Sequence, residues 1–323
     1  MIDLAIQPYD NIQNYLDISY ANGGGTCTLE TGTHTLTQDL IILSGVTLKG
    51  ASRDNCIIEC GDFSVRMEGT DVYNTGDVSM VGRHIWLQDS WYEIATFTSD
   101  TELELIDIYT GTTLTNETDY VISQINLLPQ LQTITVQNST GSGVVCNYCR
   151  ENLLSNINIY NCIVGLEMNY CIYPKMLLSS DYNEVGAVWN NVYGYNIDFC
   201  EFSYSTVGAG LVMTKCGSSN LYSSSFNNNT TNGITMTNCS LNPIDSCDLS
   251  NNGVNGIELI SNCNANSFSS GTSFDNNGAY GIKINNANCS DNILTGVIAL
   301  GNISGSLDDS GTGTLKSLTV NKL

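Results

Sequence analysis

From Gly143 onward, short apolar bursts alternate with polar stretches, and one recurrent burst opens on a glycine and in most copies closes on a cysteine. The clearest copies are Gly165-Leu166-Glu167-Met168-Asn169-Tyr170-Cys171, Gly210-Leu211-Val212-Met213-Thr214-Lys215-Cys216 and Gly233-Ile234-Thr235-Met236-Thr237-Asn238-Cys239. Looser copies begin at Gly143, Gly256 and Gly281, and Gly186-Ala187-Val188-Trp189 is a degenerate one. The glycines stand 22, 21, 24, 23, 23 and 25 residues apart. A second burst lies between them: Ile197, Cys200 and Phe202, then Leu221, Ser224 and Phe226, then Ile244, Cys247 and Leu249. Asparagine-rich turns follow, as in Asn227-Asn228-Asn229 and Asn251-Asn252.

Within a burst the alternation has the two-residue period of a strand, so Ile234 and Met236 point one way while Thr235 and Thr237 point the other. One such coil cannot bury its own apolar face. Coils stacked about 4.8 Å apart join these residues into continuous inward columns. The spacing therefore predicts an all-β solenoid of parallel strands. Its cysteines form a buried column of small hydrophobes, and its turn asparagines stack as a ladder.

The beginning of the chain fits the same object. Ile12, Tyr15 and Leu16 have helical spacing, which predicts a short helix over the open end of the stack. There follow Gly23-Gly24-Gly25-Thr26-Cys27, Gly32-Thr33-His34-Thr35-Leu36 and Ser44-Gly45-Val46-Thr47-Leu48-Lys49-Gly50. This order resembles the opening coils of right-handed parallel β-helices of the pectate-lyase superfamily. The resemblance covers roughly residues 5–60 by motif and 140–305 by coil pattern. It implies a single-stranded right-handed β-helix and says little about chemistry, because one such fold hosts lyases, hydrolases and attachment proteins.

Between Asn74 and Leu128 the coil period breaks. The run Trp91-Tyr92-Glu93-Ile94, Ser99-Asp100-Thr101-Glu102-Leu103-Glu104-Leu105, Tyr109-Thr110-Gly111 and Tyr120-Val121-Ile122 reads as short strands and polar turns. It resembles a small β module of phage tail and baseplate proteins. The expected layout is an N-terminal cap at 1–22, first coils at 23–73, a small β insert at 74–128, the main β-helix at 129–305, and a C-terminal tail or oligomerisation strand at 306–323. Open solenoid ends need covering, and a terminal strand shared with neighbouring subunits, by analogy with tailspikes, implies a homotrimer.

The balance of 10 basic against 32 acidic residues gives a net charge of −22, which repels nucleic acid and anionic membranes. It equally serves to keep an extracellular particle soluble. No run approaches a membrane span, and residues 1–21 lack the basic start and apolar run of a signal peptide. The expected location is a virion, assembled in a host cytoplasm and acting outside. The 13 cysteines make no zinc pattern: Cys146-Asn147-Tyr148-Cys149 stands without a second pair. No metal and no cofactor are expected.

With only His34 and His84, both outside the repeats, histidine-based catalysis has no base. A polysaccharide hydrolase needs two carboxylates about 5 to 9.5 Å apart. The repeat puts Asp198 and Asp245 in equivalent positions two coils apart, and Glu201 and Asp248 likewise, at about 9.6 Å. Chance alignment in an acidic repeat protein would do the same. Asp181 and Glu184 form a second acidic pair. Aromatic residues crowd between 148 and 222, and Trp189, Tyr182, Tyr193, Tyr195 and Tyr222 are candidates for stacking on sugar rings, unless they pack inward. Two functions remain open: a phage tail fibre or tailspike that binds a host-surface polysaccharide alongside other tail proteins, or a polysaccharide-degrading hydrolase or lyase on the same scaffold.

Overall fold

Strands that carry one apolar face every coil can cover it only with their neighbours, and the chain does so by winding into a right-handed parallel β-helix. The computed structural model describes residues 2–43, 45–68, 84–87, 90–99, 102–105, 121–122, 129–269 and 271–317. A first face stacks ten strands in parallel, from Leu40–Leu43 and Val65–Glu68 through Val185–Asn190, Leu211–Thr214 and Ile234–Thr237 to Gly305–Asp309. A second face runs from Ile2–Ile6 and Gly25–Leu29 through Asn196–Asp198, Asn220–Tyr222 and Pro243–Asp245 to Leu315–Ser317. The long strands Gln130–Ser139, Leu153–Tyr160 and Lys175–Asp181 continue past a bend and build a third face. Beyond them this face persists as single bridges linking Ser179, Glu201, Ser225, Asp248, Ser273 and Ile298.

The repeat's register is the one its spacing predicts: Leu211 pairs with Ile234 and Met213 with Met236, and each of these lies in the core. All thirteen cysteines are buried and free. The glycine that opens each copy is required for space. A Cβ on Gly186 would stand 2.3 Å from the Gly210 carbonyl oxygen, and one on Gly210 would stand 2.3 Å from that of Phe202. Asparagines follow the corners into the interior. Asn229 donates its Nδ2 to Asn252 Oδ1 at 3.1 Å, and Asn277 donates to Asn302 at 3.0 Å. A second ladder joins Asn242, Asn266 and Asn292 at 2.9 and 3.1 Å. These buried amides bond to backbone as well, so the turns they line are tied to the next rung.

Each face ends in a single residue in the left-handed region. One corner column is Phe199, Ser223, Ser246, Gly271 and Gly296; another is Tyr182, Tyr204, Asn228, Asn251, Asn276 and Gly301. Asparagine and glycine tolerate this conformation, whereas aromatic residues rarely adopt it.

At the N-terminal end the helix Ile12–Ala21, capped by the Asn11 side chain, lays Ile12, Leu16 and Ser19 over the first coil. The strand Ile2–Ile6 ahead of it, unrecognised in the sequence, pairs with Gly25–Leu29. Its closeness explains the glycine run, since a Cβ on Gly25 would fall 1.9 Å from Ile2 O. His34 is buried, with Nε2 2.9 Å from Glu30 O. Stacking passes directly from Val46–Gly50 and Cys56–Gly61 to Gln130–Ser139. Of the residues between, His84–Leu87, Ser90–Ser99, Glu102–Leu105 and Val121–Ile122 form an antiparallel sheet; the other residues of the expected insert lie outside the described ones. At the far end Gly305–Asp309 and Leu315–Ser317 pair with the preceding rung of the same chain. The winding therefore runs on past residue 305 to residue 317, and residues 318–323 of the expected C-terminal tail lie outside the described ones. Among the described residues no helix is long and apolar enough to cross a membrane.

Candidate functional site

The four carboxylates picked out by the repeat fall in the expected register but not on one surface. Asp198 pairs with Tyr222 and Tyr222 with Asp245, all on the second face. Glu201, Ser225 and Asp248 are bridged in order on the third. The left-handed corner at Phe199, Ser223 and Ser246 turns the chain between the two rows, so the two pairs occupy different faces. Tyr222 stands between Asp198 and Asp245. Asp248 accepts from Asn227 Nδ2 at 2.7 Å and from Ser250 N at 3.1 Å, which ties it into the turn.

The aromatic candidates separate as well. Trp189 and Tyr195 are 0% and 1% exposed, and their rings pack edge to face in the core at 5.1 Å. Tyr195 donates its hydroxyl to buried Asn242 at 2.8 Å. Neither can meet a glycan, which corrects the expectation for both. Trp189 occupies the inward position that methionine holds in other copies, pairing with Met168 and Met213. Tyr195 follows the left-handed Gly194, and that corner shifts the alternation by one, sending the ring inside. Tyr193 is half-buried at a turn that bridges Ile172 and Gly217. Tyr222 is exposed on the second face and Tyr182 at the rim of the third.

Around Tyr182 the structure assembles a group that no spacing rule pointed out. Tyr182 and Tyr204 occupy the same left-handed corner on consecutive coils, are 57% and 41% exposed, and stack with ring centroids 5.0 Å apart and planes 10° apart. The separation matches the rise of one coil. Beside them on the third face lie Asp181 and, one coil on, Glu201, which is bridged to Ser179. Tyr160 pairs with Asp181 from the preceding coil. Phe199, 67% exposed, marks the opposite rim.

Asp181 is held firmly: Oδ1 accepts from Ser203 N at 3.0 Å and Oδ2 from the Ser179 hydroxyl. Burial pushes its carboxyl up to about 6, with the Glu201 charge adding to the rise and the two hydrogen bonds opposing it. The pair thus offers one carboxyl that takes up a proton in mildly acidic solution beside a second acidic side chain. Among the described residues no cluster of three or more histidine, cysteine or acidic side chains is arranged to hold a metal ion. Asp181 was legible only as a neighbour of Glu184 in sequence. Its nearness to Glu201 depends on Lys175–Asp181 continuing across the bend.

No protein-family profile matches the chain, and no curated protein does. Solved structures match it in fold. ORF18 of Geobacillus virus E2 superposes with a TM-score of 0.65 at 13% identity, over 96% of this chain and 62% of its own. The Dettilon tailspike gp208 gives 0.55 at 11%, over 97% of this chain and 68% of its own. The tailspike gp61 of Pseudomonas phage phi297 gives 0.51 at 10%, over 95% and 68%. At these identities the likeness is one of fold, the parallel β-helix of phage tailspikes. This chain spans less than two thirds of the Geobacillus virus protein's length.

Proposed function

We propose that this chain is the β-helical body of a bacteriophage tailspike or tail fibre, and that the Tyr182–Tyr204 platform binds a host-surface glycan. The observation that carries the reading is the stacked pair itself. Two large aromatic rings stand exposed, side by side, on backbone torsions that aromatic residues avoid. Strain of this kind persists where the surroundings enforce it, and it clusters at functional sites. Two coplanar rings one coil apart offer a flat apolar surface to the C–H faces of sugar rings, and their hydroxyls bond at the edge. The tailspike fold of the solved neighbours supports the virion setting.

This reading implies a homotrimer, other tail proteins as partners, a location on the virion, and the domain layout expected from the sequence. Tyr222 and Tyr193 remain candidates for contacts on another face. In a glycan-binding assay with polysaccharide from a susceptible host, Tyr182→Ala and Tyr204→Ala are expected to weaken binding about tenfold or more, as loss of aromatic anchors does. Binding that survives both changes removes the platform. Sedimentation of the intact protein tests the trimer.

One observation favours a second reading, cleavage of the bound polysaccharide. A carboxyl that protonates at about 6 beside another carboxylate suits a general acid and its partner. Reducing-sugar release that is lost in Asp181→Asn and in Glu201→Gln would establish it. Release unaffected by either variant would discard this pair.

A further inference from the structure

Among the described residues the third face carries charge of one sign only. Its polar rows run Thr135, Asn158, Ser179, Glu201, Ser225, Asp248 and Ser273, and Glu59, Gln137, Tyr160 and Asp181, the latter row continued by Ser203, Asn227, Ser250 and Asp275, with Thr135, Ser203 and Ser250 buried among their neighbours. No lysine or arginine stands in either row or in the corner columns that edge them. Among the described residues the one cation that reaches its border, Arg53, bonds Asn156 two coils from Glu201 and is already paired with Asp54 at 3.1 Å. Other basic side chains among the described residues are elsewhere. Arg66 and Lys283 lie on the first face against Glu68 and Glu258, and Lys175 is on the second.

Acidic polysaccharides carry carboxylate, sulfate or phosphate groups along their length. A chain of that kind lying across Tyr182 and Tyr204 would set those groups against Asp181 and Glu201, with no cation among the described residues to receive them. Like charges placed together at a partly desolvated surface are disfavoured strongly enough to determine which partner binds. The same carboxylates are good acceptors for sugar hydroxyls, and the half-buried walls make each such bond worth more than at an open surface.

Accepting the glycan reading above, we infer that the Tyr182–Tyr204 platform selects a glycan without acidic groups, either uncharged or bearing only amino groups, and rejects anionic polysaccharides. The recognition elements are the two rings for sugar faces and the oxygens of Asp181 and Glu201 for hydroxyl or amino donors.

The test uses the full chain on an array of bacterial surface polysaccharides, in which each acidic member is paired with its carboxyl-reduced product. Binding that depends on Tyr182 and Tyr204 is expected to be about tenfold or more stronger for the reduced member of each bound pair. Asp181→Asn combined with Glu201→Gln, which keeps shape and removes charge, is expected to close that gap. For an uncharged ligand the affinity stays nearly constant with ionic strength, and for an amino-bearing one it falls as salt rises. Tyrosine-dependent binding that is equal or stronger for the acidic members overturns the charge selection and leaves the glycan platform standing. A gap that persists in the amide double variant also overturns it. An array on which nothing binds through these tyrosines removes the platform and this inference with it.

Discussion

At the scale of single residues, the corner column through Tyr182 and Tyr204 changes its residues along the winding. Its later left-handed positions hold Asn228, Asn251, Asn276 and Gly301, residues suited to them, and its earlier ones hold Tyr182 and Tyr204; Tyr148, Tyr170, Tyr173 and Phe199 hold left-handed positions at other corners. Holding a side chain of that size in the left-handed region costs about 1–2 kcal/mol. Tyr148 with Tyr170 and Tyr182 with Tyr204 offset part of this cost by stacking, which contributes about 0.5–1.5 kcal/mol. Phe199 is two-thirds exposed, so Phe199→Asn gives up little packing and is expected to raise stability by about 1 kcal/mol in chemical denaturation. A loss of stability would show that the torsion is not what governs that corner. The repeat glycines predict the opposite sign. Gly210→Ala drives a methyl group against the Phe202 carbonyl, and overpacking of that kind costs about 1–3 kcal/mol; an unchanged denaturation midpoint would contradict the contact. Asp181 gives a third prediction at this scale. Its carboxyl keeps a proton up to about 6 in the folded chain against an ordinary 3.8. Between those values the folded state holds the extra proton, so the associated stability is full below 3.8 and is lost as pH rises through about 6. Asp181→Asn is expected to be more stable than wild type above that range and equal to it below, and Glu201→Gln to bring the titration midpoint of Asp181 down in a carboxyl-resolved NMR experiment.

At the scale of elements, what was readable in the sequence was the part governed by translation along the stack. Gly210, Gly233 and Gly256 repeat because each must admit the same carbonyl of the next coil, and the cysteines repeat because each fills the same small gap. Spacing therefore delivered the faces, the thiols and the rows of Asp198 with Asp245 and Glu201 with Asp248. It failed where rotation matters. A one-residue corner breaks strict alternation, so inward and outward cannot be counted through Gly194 to Tyr195 or through Phe199 to Glu201. The site at Asp181 combines that corner geometry with a contact between unequal coils, and neither leaves a periodic trace. The asparagine ladders lie between these cases: their spacing was visible, but their burial was not. Asn252 Oδ1 accepts both the backbone N–H and the Nδ2 of Asn229, at 3.0 and 3.1 Å. Asn252→Ala strands two buried donors at about 1–3 kcal/mol for each group left unmade, whereas Asn251→Ala, one residue earlier and exposed, carries only a torsional cost of about 1–2 kcal/mol. Comparable losses in the two variants would mean that the ladder contributes little beyond the torsions.

At the scale of the whole molecule, a solenoid is bound together only between neighbouring coils, so unfolding can begin at an end and advance rung by rung. The thiols record that progress, because cysteines recur through the winding from Cys27 to Cys289 and all are buried. Burial also suppresses the reactive thiolate: Cys162 is pushed up to about 11, and Cys200, Cys247 and Cys263 to about 12. Native protein treated with an alkylating reagent in mildly alkaline buffer is therefore expected to keep its thiols unmodified, and denatured protein to lose them all. In graded denaturant, labelling followed by peptide mass spectrometry is expected to reach Cys289, near the C-terminal end of the described winding, before Cys216 and Cys239 in the middle. Cys27 should be slower than Cys289, because the helix Ile12–Ala21 covers its end of the stack. Simultaneous labelling at every position would mean that the coils unfold as one cooperative unit, and the nearest-neighbour account would then have to give way to one in which the Trp189, Phe202 and Phe226 ring cluster couples the whole length.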